Sequence, residues 1–244
     1  MKQVFLEITE NIKLTDNVMK MNLKGDISDI TSPGQFVNIK IDGLFLRRPI
    51  SVCDAEGDTL TIIYKVVGKG TEEMAKMKDG KLDVLTGLGN GYDTSKSGEE
   101  VLLLGGGVGV PPLYMLCKKL IKEGKKVSVV LGFNTKSEVF YENEFKALGA
   151  DVYVTTVDGT YGIKGFVTDA MKDINYTYFY TCGPEPMLKA IYKAANTSGQ
   201  FSFEERMGCG FGACMGCSCK TVTGYKRICK DGPVLCKEEI LWEK

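Results

Sequence analysis

The sequence predicts a multidomain β plus α/β protein: an N-terminal antiparallel β-barrel, a doubly wound parallel sheet, and a small C-terminal cysteine-rich domain. Three observations carry this. Short β-branched or alternating runs divided by turn signals fill residues 1–97. Apolar strands alternate with amphipathic helices over residues 98–200, as repeated βα units do. Residues 201–244 hold most of the chain's nine cysteines.

In the first part Val4–Ile8, Val18–Lys24, Gln35–Ile41 and Thr59–Val67 read as strands. Ser32-Pro33-Gly34 and Glu56-Gly57-Asp58 read as the turns between them. One helix is expected from about Thr71 to Met77. The character changes at Ser95-Lys96-Ser97-Gly98. Val101–Leu104 is then a buried strand, and Pro111–Glu123 a helix with Leu113, Leu116, Cys117, Leu120 and Ile121 on one face. The strand Val127–Leu131, a helix over Glu138–Leu148 and the strand Val152–Val157 follow. A helix near Thr168–Lys172, the strand Tyr176–Thr181 and the helix Glu185–Ala195 complete the alternation.

Composition narrows the function. Among 244 residues, 31 basic and 31 acidic side chains cancel, so nothing suggests a nucleic-acid surface or affinity for anionic lipid. No apolar run reaches the roughly 18 residues of a membrane span, and the N-terminus has no signal-peptide core. The expectation is a soluble, cytoplasmic protein. Nine cysteines cannot all pair internally, which fits a reduced compartment and metal-bound thiolates. There is no histidine. That excludes a Rieske centre, a Cys/His zinc finger and any histidine-based triad, but not cofactor-borne hydride or electron transfer.

Cys209, Cys214, Cys217 and Cys229 carry the strongest signal. Their spacing, C-x4-C-x2-C and a fourth cysteine after eleven residues, is the plant-type arrangement for a [2Fe–2S] cluster. Structural zinc more often shows two short pairs. Gly208, Gly210, Gly212 and Gly216 suit a loop that needs positive φ and close backbone approach. Cys219 and Cys236 are spare to this set and read as packing.

Gly105-Gly106-Gly107-Val108-Gly109 follows a strand and opens a helix through Val110-Pro111-Pro112. A strand-to-helix glycine turn lets backbone approach a pyrophosphate at a helix N-terminus. The G-K-[ST] ending of a Walker loop is absent. Cys182-Gly183-Pro184 also ends a strand and starts a helix, and Cys182 is either a small buried hydrophobe or part of a ligand site. Arg48, Pro49, Ile50 and Ser51 follow Arg47; consecutive arginines are usually solvated or paired, yet Arg48 and Ser51 suit a phosphate. Thr71, after Gly70, is either a helix cap or a phosphate contact.

Together these residues resemble one family. Arg48–Ser51 looks like the flavin motif of ferredoxin–NADP reductase-like proteins, and Gly105–Pro112 and Cys182-Gly183-Pro184 like their nicotinamide motifs. A cysteine domain entered through Glu204-Glu205-Arg206-Met207-Gly208-Cys209-Gly210 makes the whole chain similar to the electron-transfer subunits of dihydroorotate dehydrogenase B. The resemblance implies FAD in the barrel, NAD in the middle domain and a [2Fe–2S] cluster facing a partner. FAD would be held by Arg48, Pro49, Ile50 and Ser51, by Ile63, Tyr64 and Lys65, and by Gly70 and Thr71. Lysine at position 65 keeps the charge of the arginine many relatives carry but not its bidentate fork. Cys182 would lie beside the hydride path, as a packing and orienting group. The stretch Gly132–Glu138 has no arginine, which favours NAD over NADP.

The implied partner is an FMN-containing dihydroorotate dehydrogenase catalytic subunit, in a heterotetramer with two of each chain. Electrons would pass from dihydroorotate through FMN, cluster and FAD to NAD, in de novo pyrimidine (UMP) biosynthesis. The alternatives are the flavin subunit of an NADH-dependent ferredoxin:NADP oxidoreductase, also called sulfide dehydrogenase, and a non-catalytic iron–sulfur binding module.

Overall fold

The computed structural model describes residues 1–242. Glu243 and Lys244, the last two of the expected 201–244 domain, lie outside the described residues.

Strands β1 (Lys2–Lys13), β2 (Val18–Lys24), β3 (Phe36–Ile39), β4 (Arg48–Glu56), β5 (Thr59–Lys65) and β6 (Lys81–Leu88) close an antiparallel barrel in the order β1-β2-β5-β4-β3-β6. Helix α1 (Lys69–Lys76) joins β5 to β6. Alternation sets the barrel interior: Val4, Leu6 and Ile8 of β1 are buried while Phe5 between them is exposed. β4 and β6 were not among the expected strands. β6 alternates clearly, with Leu82, Val84, Thr86 and Leu88 buried. β4 does not, since Arg48, Pro49, Ile50 and Ser51 are all half-buried.

The second unit is a seven-stranded sheet, ordered β10-β9-β8-β7-β11-β12-β15. Its parallel strands are β7 (Glu100–Gly106), β8 (Lys126–Phe133), β9 (Asp151–Thr156), β10 (Ile163–Lys164), β11 (Tyr178–Cys182) and β12 (Gly199–Ser202). The helices are α2 (Pro112–Lys122), α3 (Glu142–Ala147), α4 (Val167–Ala170) and α5 (Glu185–Ala194). From β7 the chain winds one way to β10 and then restarts at β11 on the other side, so the topological switch point lies between β7 and β11.

The helix expected over Glu138–Leu148 is shorter. A 3₁₀ turn at Lys136–Glu138 is followed by a break, and α3 starts only after Tyr141, whose φ is 65°. The break buries two aromatic rings: Phe140 packs edge-on against Phe133, and Tyr141 against Tyr114. A continuous helix would not aim both rings inward.

The C-terminal part adds the hairpin β13 (Ser218–Thr221) and β14 (Gly224–Arg227), helix α6 (Ile228–Asp231) and strand β15 (Val234–Cys236). β15 pairs antiparallel with β12, so the cysteine-rich segment donates a strand to the central sheet. The expected division at residue 200 falls inside β12. Asn90, just past β6, also grips β15: its Nδ2 donates to the Val234 carbonyl at 2.8 Å, and its Oδ1 accepts from the Val234 N–H at 3.1 Å. Lys118 of α2 ties the barrel to the sheet through Asp54 at 2.8 Å and Glu56 at 3.0 Å, both on β4.

Candidate functional site

The two glycine turns meet at the switch point. Cys182 lies opposite Gly105 in the β7–β11 ladder. A Cβ on Gly109 would sit 2.3 Å from the Cys182 carbonyl oxygen and 2.6 Å from Gly183 Cα. One on Gly106 would meet Met187 Sδ at 2.5 Å. Backbone touches backbone here, and glycine is what permits it. Gly107 has a φ of 52° with open space around it, and Val108 is half-buried beside it. Pro111 stands at the N-cap of α2, and Pro184 at the N-cap of α5. Two helix N-termini and two turns thus share one edge, where free N–H groups suit a pyrophosphate.

Cys182 is 1 % exposed. Burial pushes its thiol well up, the nearby Glu204 carboxyl adds to this, and a hydrogen bond with Ser202 opposes it. It is a neutral thiol, suited to packing and not to nucleophilic attack. Glu204 was not singled out as a site residue. With Gly183, Pro184, Cys219 and Trp242 it lines a cleft of about 240 Å³. The Glu204 side chain is exposed to the cleft, and desolvation by the protein around it shifts its carboxyl upward.

On the barrel, the two arginines separate. Arg47 is clamped by Asp83, with NH2 to Oδ1 at 2.9 Å and to Oδ2 at 3.0 Å. Arg48 makes no ion pair among the described residues and donates to the Leu46 carbonyl. Its guanidinium lies over Gly70, where a Cβ would fall 2.0 Å from Arg48 Nε. The Arg48 motif and the N-terminus of α1 therefore converge, a cradle that fits the phosphates of FAD.

Thr71 caps the helix, but from the third helical position and not as the N-cap itself. Gly68 is the N-cap of α1, and the Thr71 hydroxyl, three residues on, accepts from the Val67 and Gly68 N–H groups and donates to the Gly68 carbonyl. Loop closure occupies the side chain, which leaves its backbone for a ligand. The 63–65 stretch divides similarly. Ile63 packs in the cluster between barrel and sheet, Tyr64 points into the barrel and bonds Asn11 at 3.1 Å, and Lys65 is exposed. Ile50 packs against the barrel core, while Pro49 and Ser51 lie opposite Asn38 and Phe36 of β3.

The four cysteines come as two pairs. The Cys214 N–H points at Cys209 Sγ at 3.4 Å, and the Cys229 N–H at Cys217 Sγ at 3.4 Å. Among the described residues no three Cys, His, Asp or Glu side chains gather as around one metal ion. A division into two pairs is compatible with the two irons of a [2Fe–2S] cluster. Burial raises the Cys209 thiol, but the Phe211, Cys214 and Ala213 N–H groups and the Cys214 thiol outweigh it and lower it to about 6. Cys229 is pushed up to about 12, by burial first and then by Cys217.

The loop glycines serve two ends. Gly210 and Gly212 take positive φ, 77° and 94°. Cβ atoms on Gly208 and Gly216 would lie 3.3 and 3.5 Å from Cys214 Sγ. Arg227, also not anticipated, donates to the Gly212 carbonyl at 2.8 Å and pairs with Asp231 at 3.1 Å, which ties the loop to α6. Cys219 stands on β13 opposite Lys226, and Cys236 accepts from Lys96 Nζ at 3.1 Å, so neither completes a pair.

Comparison with known proteins agrees with this layout. Residues 204–241 match the iron–sulfur cluster binding domain of dihydroorotate dehydrogenase B, and residues 103–193 the oxidoreductase NAD-binding domain. The chain is 47 % identical to the dihydroorotate dehydrogenase B (NAD(+)) electron transfer subunit of Bacillus pumilus, with 98 % of each chain covered. It is 47 % identical to the subunit of the same name from Fusobacterium nucleatum, with 96 % of each covered. A solved NADH-dependent reduced ferredoxin–NADP oxidoreductase, described for flavin-based electron bifurcation, superposes with a TM-score of 0.90 at 32 % identity, over 98 % of this chain and 90 % of that one. A ferredoxin NADP⁺ reductase from Neisseria gonorrhoeae, solved with FAD and NADP, shares the fold at a TM-score of 0.70 and 19 % identity, over 80 % of this chain and 90 % of that one.

Proposed function

The chain belongs to the electron transfer subunits of dihydroorotate dehydrogenase B, and from that premise we propose that it carries electrons between a dihydroorotate-oxidising catalytic subunit and NAD. The observation that supports this most is the meeting of three unlike sites in one chain: nicotinamide turns at the β7–β11 switch point, a phosphate cradle at Arg48 and Gly70, and two thiol pairs. When bound, FAD supplies hydride exchange with nicotinamide and the [2Fe–2S] cluster supplies one-electron transfer.

The residues do the placing. The turn Gly105–Gly109 and the N-terminus of α2 receive the pyrophosphate of NAD, and Gly183 and Pro184 shape the edge beside it. Cys182 would border the nicotinamide as a neutral thiol. Arg48, with Pro49, Ile50 and Ser51, would grip FAD; Gly70 leaves room for the guanidinium; and Ile63, Tyr64, Lys65 and Thr71 would form the surrounding wall. Cys209 and Cys214 would hold one iron, Cys217 and Cys229 the other.

The partner is an FMN-containing catalytic subunit, in a heterotetramer of two of each chain. The complex works in the cytoplasm, in keeping with nine cysteines that are all free; no described helix is long and apolar enough to cross a membrane. Co-expression with such a subunit tests the whole reading. The purified complex should reduce NAD with dihydroorotate, prefer NADH to NADPH in reverse, and elute with the mass of two copies of each. The superposition with the ferredoxin–NADP oxidoreductase supports one second reading, a ferredoxin-linked role. Reduction of NADP by NADH and reduced ferredoxin, with none by dihydroorotate, would favour it.

A further inference from the structure

The cluster loop rests on the barrel at one polar side chain, Asn38. β3 alternates, with Val37 and Ile39 in the barrel core and Phe36 and Asn38 on the outer face. Phe36 belongs to the same buried cluster as Cys217 and Cys229. Asn38 is 1 % exposed, and its Nδ2 donates to the carbonyl of Cys209, 171 residues away, at 3.1 Å. Directly across the ladder stands Pro49, in the strand read as the flavin grip. The Asn38 backbone is fixed as well, because the Arg47 guanidinium clamped on Asp83 donates to the Asn38 carbonyl at 3.3 Å.

Two details argue against a merely space-filling role. Asn38 Oδ1 is buried and takes no hydrogen bond from the described residues, so the amide's tie to its surroundings runs through Nδ2 to the loop. Leucine, of similar size, would fill the site but make no such tie. On the other side, Gly210 takes a φ of 77° and comes so close that a Cβ there would lie 2.3 Å from Asn38 Nδ2. Loop and amide are fitted to each other.

We propose that Asn38 is a positioning residue for electron passage between flavin and cluster: its hydrogen bond to the Cys209 carbonyl holds an iron ligand against the strand beside the flavin grip. The inference rests on the cofactor assignments proposed above. One hydride brings two electrons to the flavin, and the cluster takes one of them, so the two reductions can be timed separately.

The test uses the full chain with FAD and cluster in place, mixed with NADH. Stopped-flow absorbance follows flavin reduction, and freeze-quenched EPR follows cluster reduction. Asn38→Leu should reduce its flavin at the wild-type rate, reduce its cluster on the order of 10- to 100-fold more slowly, and show an altered EPR line shape. Gly210→Ala should behave likewise. The EPR line shape is the readout that a purely structural role would not move. Should Asn38→Leu lose its iron, Gly210→Ala decides by the same two readouts. Wild-type cluster kinetics and line shape in Asn38→Leu, or in Gly210→Ala where Asn38→Leu has lost its iron, would overturn the proposal alone. A wild-type chain without iron would overturn the cluster assignment with it.

Discussion

The nicotinamide turns and the cysteine loop are both built on glycine, yet they are held by opposite means. At the β7–β11 edge the glycines let two buried backbones touch, and a seven-stranded sheet with two helices fixes the result. In the cysteine loop, Gly210 and Gly212 serve left-handed turns, Cys214 is exposed, and the supports are a few side chains such as Asn38 and Arg227. The first region is preformed by its strands. The second depends on what its thiols bind, because metal-site free energy is folding free energy where secondary structure is sparse.

Removing thiols should break that contrast most visibly. Serine at Cys209, Cys214, Cys217 or Cys229 should abolish the cluster, from about two irons and two sulfides per chain. Serine at Cys219 or Cys236 should leave both counts intact. Iron and acid-labile sulfide analysis of anaerobically purified protein decides this, and zinc in the wild type would count against it. NADH-driven dye reduction should survive in the cluster-free variants, because the turns do not lean on the loop.

The converse experiment is Gly109→Ala. Its new methyl group would overlap the Cys182 carbonyl, and overpacking of this kind costs about 1–3 kcal/mol. Thermal unfolding should shift down accordingly and NADH oxidation should fall sharply, with iron content unchanged.

Arg48→Ala probes a third kind of site, a cradle made by one guanidinium and one helix end. Loss of a charge-assisted bond worth roughly 1.5–3 kcal/mol should weaken FAD about 10- to 100-fold, as equilibrium binding to apoprotein would show. Undiminished affinity would make Arg48 a surface charge. Cys182→Ala should have the smallest effect. It should slow flavin reduction by NADH by less than the roughly 10²-fold of a 1 Å misplacement, with FAD and cluster spectra unchanged. Since burial holds the thiol up, it stays neutral across pH 6–9, and the wild-type rate should show no step from this group.

What was legible in the sequence follows a physical divide. Cysteine spacing and the two glycine turns are local patterns, and local patterns were read at the right strand ends. Asn38 matters through a partner 171 residues on, which no short window contains, and Arg227, although paired with Asp231 four residues away, reaches the loop at Gly212 only through the fold. Thr71 showed its hydroxyl type but not that its own loop would consume it. Strand β12 is only Gly199–Ser202, too short to display a period, and β15 is shorter still. The helix expected at Glu138 had adequate propensity and lost to two aromatic rings seeking the core.

β15 leaves the cysteine-rich segment to lie against β12, and Asn90 of the barrel holds it from the other side. A carrier anchored at both ends cannot swing like a tethered arm between donor and acceptor. It is a fixed post in a relay. Motion in such a relay is left to whatever the subunit meets, and on the loop itself Cys214, Phe211 and Met215 stand exposed.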